Sequence, residues 1–170
     1  MSLLNIRIYP DSILREKSVE VAEFNKELKE FVANMAETMY ANEGIGLAAV
    51  QVGELKRITV IDVESGEKRG NFQEFINPVI IEKEGSVKSE EGCLSIPGYR
   101  DTIKRAEKVK VEAFNCSGEK FTIECDGLLA ICLQHEIDHM DGVLFIDHLS
   151  PVKRMFFEKW SKKNLLKERI

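Results

Sequence analysis

The sequence predicts an α+β fold: mostly antiparallel sheets around a central helix, with a C-terminal helix. Three observations carry this expectation. Apolar residues recur at helical spacing in three separated segments, short β-branched runs cluster between the first two, and no strict strand–helix alternation calls for a parallel sheet. The 170 residues, 44% apolar and 31% charged, suit one domain able to bury most of its core without staples.

The first helix is expected over about 25–42, where Leu28, Phe31, Val32, Met35 and Met39 share a face, Asn25 can cap and Gly44 lies beyond the end. Strands follow at "RITVIDV" (57–63), "EFINPVIIEKEG" (74–85), "AEKVKVEAFN" and "EKFTIECD", the last two flanking "CSG" as a hairpin. A second helix is expected over about 127–141, with Asp126 as N-cap and Gly142 as terminator. The third begins where Ser150 can cap and Pro151 suits the first helical position. Residues 1–170 thus read as a single domain with 151–170 as a basic C-terminal helix.

Nothing approaches the ~18 consecutive apolar residues of a membrane span, and "MSLLNIRIYP" has no secretory pattern. The reading is therefore cytoplasmic, with neither a membrane nor DNA as partner. The four cysteines, Cys93, Cys116, Cys125 and Cys132, are then expected to stay reduced, as core filler or metal ligands. The net charge of −5 hides an asymmetry: 151–170 hold seven Lys/Arg against two Glu, on an acidic body.

The chemistry concentrates in "QHEIDHMDG" (134–142). On a helix His135 and His139 stand one turn apart on one face, so both imidazoles can reach one ion. Glu136, rotated about 100°, can reach a water at that ion without being a ligand. A catalytic metal usually has three protein ligands and an open position, and the candidates for the third are His148, Cys132, Cys93 and several carboxylates. Cys132 shares the helix face, but positions 132 and 139 are about 10 Å apart along the axis, too far for ligands that reach about 2 Å; it reads better as pocket lining. His148 lies in "LFIDHLS", where a strand-end position is the simpler account. Cys93 sits in "EEGCLS", where Gly92 permits close backbone approach. Asp138 and Asp141 read as an exposed or supporting pair. A second segment, "NEGIGLAAVQVG" (42–53), lacks the third glycine of a phosphate-binding fingerprint; it is either a tight turn leading into a strand or a backbone edge for an extended substrate, with Gln51 as amide donor.

Together "GIGLAAVQ" (44–51), "EGCLS" (91–95) and "QHEIDHMDG" (134–142) resemble, in order, the motifs of the peptide deformylase family. The similarity runs through nearly the whole chain; Met140 stands where leucine is usual, a swap of similar volume. The resemblance implies Cys93, His135 and His139 as ligands of one divalent ion, Fe²⁺ physiologically, with Zn²⁺, Ni²⁺ or Co²⁺ able to substitute. It implies removal of the N-formyl group from the N-terminal formyl-methionine of new polypeptides. Glu136 would be the general base and acid, with the Gln51 amide and the Leu94 N–H holding the oxyanion. Gly44, Ile45 and Gly46 would pair with the substrate backbone. Ile45, Leu128, Cys132 and the stem of Glu91 would take the methionine side chain, and Arg100 would support the Cys93 loop. Residues 151–170 are expected either to pack as an amphipathic helix or to contact ribosomal RNA. The competing readings are an H-E-x-x-H endopeptidase, a non-catalytic metal-binding or ribosome-associated module, and a cysteine nucleophile paired with histidine.

Overall fold

The structure is a computed structural model and describes residues 2–64 and 70–165. Its strands form a five-stranded antiparallel sheet and a separate two-stranded hairpin. The sheet runs in the order β1 (Gly46–Ala48), β2 (Ile58–Ile61), β3 (Gln73–Glu84), β6 (Lys108–Phe114) and β7 (Lys120–Asp126). The hairpin joins β4 (Val87–Cys93) to β5 (Ile96–Arg105).

The short strand β2 is buried throughout because both faces of the sheet are covered there. Ile58 and Val60 face helix α1 (Lys26–Ala41) in one core with Val32, Met35 and Met39. Ile61 faces the other way, into a core where Ala130, Leu133 and Ile137 of helix α2 (Gly127–Met140) meet Phe75 and Val111. Helix α2 thus lies on the sheet. Helix α3 (Pro151–Asn164) closes a third core against the hairpin, with Phe157 and Trp160 set on Ile96, Ile103 and Tyr99.

The caps follow local chemistry. Asn25 accepts the Leu28 N–H at 3.0 Å, and Ser150 accepts the Lys153 N–H ahead of Pro151. Asp126 occupies the N-cap position of α2, yet its side chain makes no capping bond. Gly127, at φ 61°, opens that helix instead. Gly142 ends it at φ 75°, and a Cβ there would stand 2.5 Å from the Arg15 carbonyl oxygen.

"EEGCLS" closes the hairpin: Cys93 is the last residue of β4, and the tight turn follows it. Both readings of 42–53 meet in the structure: a turn after α1 leads into "GLA", the strand β1 at the edge of the sheet, and Ala49–Val52 is a 3-10 turn. One expectation needs correction. His148 ends a 3-10 turn, Phe145–His148, not a strand. In α3, Phe157 and Trp160 pack inward, whereas Met155 and Phe156 are exposed. Residues 166–170, including Lys167, lie outside the described residues.

Candidate metal centre and cleft

Helical spacing on α2 sets His135 and His139 side by side, their ring centroids 5.0 Å apart. The hairpin brings Cys93 to them: its Sγ lies 3.3 Å from His139 Nε2. One ligand atom from each of the three residues falls within 4.8 Å of the other two. The three form a candidate metal site from one thiol and two imidazoles, a donor set that suits a borderline or soft divalent ion. Cys132, by contrast, faces the cleft wall, as the helix geometry requires.

The orientation of His135 comes from Glu91. Its Oε1 accepts the Nδ1–H of that ring at 2.9 Å, which leaves Nε2 as the ligand atom. Burial on its own would raise the Glu91 pKa; hydrogen bonds from Arg105 and His135 outweigh it and bring it to about 2. Arg105 grips Glu91 with two parallel bonds, Nε–Oε2 at 2.8 Å and Nη2–Oε1 at 2.9 Å. Its remaining Nη1 donates to Asp138 at 2.6 Å. Both Arg105 and Glu91 side chains are about 5% exposed or less.

Glu136 stands on the other side of His135, with Oε1 3.9 Å from Nε2. Burial, with the Glu91 charge adding to it, raises its pKa to about 7 against the pull of His135. Its Oε2 is buried and has no hydrogen-bond partner among the described residues. An unpartnered carboxylate oxygen beside three convergent donor atoms fits a site built to hold an ion and a small polar reactant.

Gln51 approaches from the 3-10 turn after β1. Its Oε1 accepts the Ala48 N–H at 2.9 Å, so its amide nitrogen is turned to Ser95 Oγ at 3.1 Å and to Cys93 Sγ at 3.5 Å. The N-terminal segment locks this arrangement: Arg7 N–H donates to the Gln51 carbonyl at 2.7 Å and Tyr9 N–H to the Ser95 carbonyl at 2.8 Å. Leu94 fills the turn opposite Gly44, where a Cβ would come within 2.7 Å of its Cδ1.

These residues border a cleft of about 750 Å³. Gly44, Ile45, Gly46, Glu91, Leu128 and Cys132 all line it, so the expected substrate-facing set is gathered in one place. Leu128 is half-exposed at the rim. Arg100 also lines it, 61% exposed: it pairs with Glu90, Nε to Oε1 at 3.3 Å, and its Nη2 donates to the Glu90 carbonyl at 3.3 Å in the strand that ends at Cys93. Alternation along β5 puts residues 100 and 105 on opposite faces, and the inward one is Arg105. Glu91 offers more than an aliphatic stem, since its carboxylate orients the candidate ligand His135. Asp141 pairs with Arg57 at 3.1 Å.

Arg105 and Ser95 were not singled out from the sequence. Arg105 shares its strand parity with the buried Ile103, and that parity is the signal that marks it as facing inward. Ser95 carries no comparable signal.

Comparison with known proteins places the whole chain. The polypeptide deformylase family model matches residues 3–155. A peptide deformylase of Neisseria meningitidis serogroup B is 52% identical over 154 residues, 91% of each chain, and one from Thermodesulfovibrio yellowstonii is 48% identical over 159 residues, 94% of this chain and 96% of that one. The crystal structure of a peptide deformylase from Legionella pneumophila superposes with a TM-score of 0.90 at 44% identity, covering 99% of both chains. With the motif-bearing residues gathered around one cleft and relatives matched over nearly their full length, the chain belongs to the polypeptide deformylase family.

Proposed function

We propose that this cleft hydrolyses the N-formyl amide of formyl-methionine at the start of new polypeptides, with Cys93, His135 and His139 holding the ion. The observation that carries the reading is the convergence of those three donor atoms within 4.8 Å beside a buried, unpartnered Glu136 oxygen. A divalent ion at that point supplies Lewis acidity, acidifying water and polarising a carbonyl oxygen. Fe²⁺ is the ion we assign, with Zn²⁺, Ni²⁺ or Co²⁺ as substitutes.

Glu136 takes the proton of the attacking water and returns it to the departing amine, a duty suited to a carboxyl raised to about 7. The Gln51 amide and the Leu94 N–H face the developing oxyanion. Both Gln51 amide hydrogens are engaged, and the longer contact, 3.5 Å to Cys93 Sγ, is the one that exchanges for the oxyanion. The segment 44–46 ends in the edge strand β1, so its backbone is placed to pair with an extended substrate. The methionine side chain enters between Ile45, Leu128, Cys132 and the Glu91 stem. A formyl carbon carries only hydrogen beyond its carbonyl, so a narrow space at the metal site would reject the larger acetyl group by steric clash.

New chains are made in the cytoplasm, where we place the enzyme, and α3 supplies a surface for meeting them. Val152, Met155 and Phe156 are exposed on one face with Lys159 and Lys163, consistent with contact to ribosomal RNA. Reversing both lysines to glutamate leaves the packed Phe157 face intact; undiminished co-sedimentation with ribosomes at low salt would remove this contact from the proposal.

The reaction itself is tested with a formyl-methionyl peptide on protein prepared without oxygen. Amine release that stops with chelator and resumes with Fe²⁺ supports the reading. Internal cleavage of the unformylated control would favour an endopeptidase, and activity insensitive to chelator a cysteine nucleophile.

A further inference from the structure

We propose that His148, outside the metal site, is a positioning residue: through Asp138, Arg105 and Glu91 it fixes the imidazole of His135 in the tautomer and orientation that present Nε2 to the ion. The inference rests on the metal-centre reading above. Four contacts make a continuous chain. His148 Nε2 lies 2.9 Å from Asp138 Oδ2. The same oxygen accepts Arg105 Nη1 at 2.6 Å. Arg105 binds both oxygens of Glu91, and Glu91 accepts His135 Nδ1–H at 2.9 Å.

Each link has one possible polarity. Carboxylates only accept, so His148 donates from Nε2, Arg105 donates at both ends and His135 donates from Nδ1. The inner pair, Arg105 and Glu91, is buried, whereas Asp138 is 27% and His148 38% exposed at the side chain. Asp138 is therefore the link that water can pull outward. Without His148 its carboxylate is free to swing toward solvent, and Arg105 Nη1 loses the partner that squares the guanidinium on Glu91. The link also crosses elements: Asp138 and His135 are on α2, Glu91 and Arg105 on the hairpin, His148 on the 3-10 turn before α3. Partners beyond the first ligands of a metal commonly govern how long it is held.

The test uses Co²⁺-loaded protein and follows loss of the visible cobalt absorption in excess chelator. Leucine at 148 removes the donor, while glutamine keeps an N–H near the position of Nε2. The expected result is cobalt release at least about threefold faster in His148→Leu, wild-type-like release in His148→Gln, and faster release in Asp138→Asn, with thermal melts establishing that each variant is folded. Release at the wild-type rate in His148→Leu overturns the proposal, as does equal acceleration in the leucine and glutamine variants, which would mean lost packing rather than a lost donor. Should the leucine variant not fold, wild-type release from Asp138→Asn overturns it equally. A wild-type protein that takes up no stoichiometric cobalt overturns the metal-centre reading itself, and the relay with it.

Discussion

Glu91 Oε1 and His135 Nδ1 stand 2.9 Å apart, and the carboxylate, at about 2, is ionised throughout the neutral range. The imidazole therefore donates that hydrogen, and one contact decides which nitrogen serves as ligand. Glu91→Ala removes the orienting acceptor and leaves the Arg105 guanidinium buried against one fewer carboxylate. Metal affinity is expected to fall about 10–100-fold, and stability by about 3–5 kcal/mol. Chelator competition measures the first and urea unfolding of ion-free protein the second. Unchanged metal affinity in a folded variant would show that the ring needs no outside orientation.

Gly46 lies against Glu136: a Cβ at that position would sit 3.0 Å from Oε1. Gly46→Ala keeps the three candidate ligands untouched and presses on the carboxylate proposed to transfer the proton. We expect full metal content with a kcat reduced about tenfold or more, since small misplacement of a reacting group is costly. Elemental analysis and steady-state kinetics on one preparation check both halves. Gly44→Ala meets only the mobile end of Leu94 at 2.7 Å and is expected to cost less.

Asp147 bonds Arg15 through both oxygens and also accepts from Arg154, tying an N-terminal 3-10 turn, Ser12–Arg15, to the start of α3. Burial would raise its pKa, but the Arg15 hydrogen bonds, the Leu144 N–H and Arg154 outweigh that and lower it. A carboxyl depressed in the folded state stabilises above its unfolded value near 4, and that contribution is lost as pH falls through the folded value. Asp147→Asn should therefore cost about 1–3 kcal/mol at pH 7, with the gap to wild type closing as pH drops below 4. Urea midpoints across pH 7 to 2.5 check the slope.

What could be read from the sequence was set by local rules. Helix α2 and its two histidines follow from i,i+4 spacing, and the β6–β7 hairpin from two alternating runs around "CSG". The β4–β5 hairpin carries no clear strand signal, because "VKSEEGC" and "IPGYRDTIKR" have charge and turn residues where strands usually carry β-branched ones. Its stability comes from burial of Ile96 and Ile103 on α3, which no local window contains. Arg105 escaped for the same reason. A lone arginine reads as solvated until two distant carboxylates, Glu91 and Asp138, are seen to enclose it. Arg7 and Tyr9 act through backbone N–H groups, which every residue has, so their tie to Gln51 and Ser95 leaves no mark in residue identity.

The cysteines separate by environment, and metal removal should expose the difference. Burial, with Glu136 and Glu91 nearby, pushes the Cys132 thiol up to about 12; burial and Glu74 do the same at Cys116. A thiol needs its thiolate form to be alkylated, so both are expected to stay inert at pH 8 in the native protein. Cys93 is half-buried at the cleft and, with an ion bound, its sulfur is committed as a ligand. Chelated protein treated with iodoacetamide at pH 8 should therefore be labelled at Cys93 ahead of Cys116 and Cys132, and added Zn²⁺ should slow that labelling at least about tenfold. Peptide mapping by mass spectrometry reads each site separately. Equal labelling of Cys93 with and without Zn²⁺ would mean that its sulfur is not where the ion binds, whereas protection of Cys93 alone would tie the thiol to the metal independently of any assay of turnover.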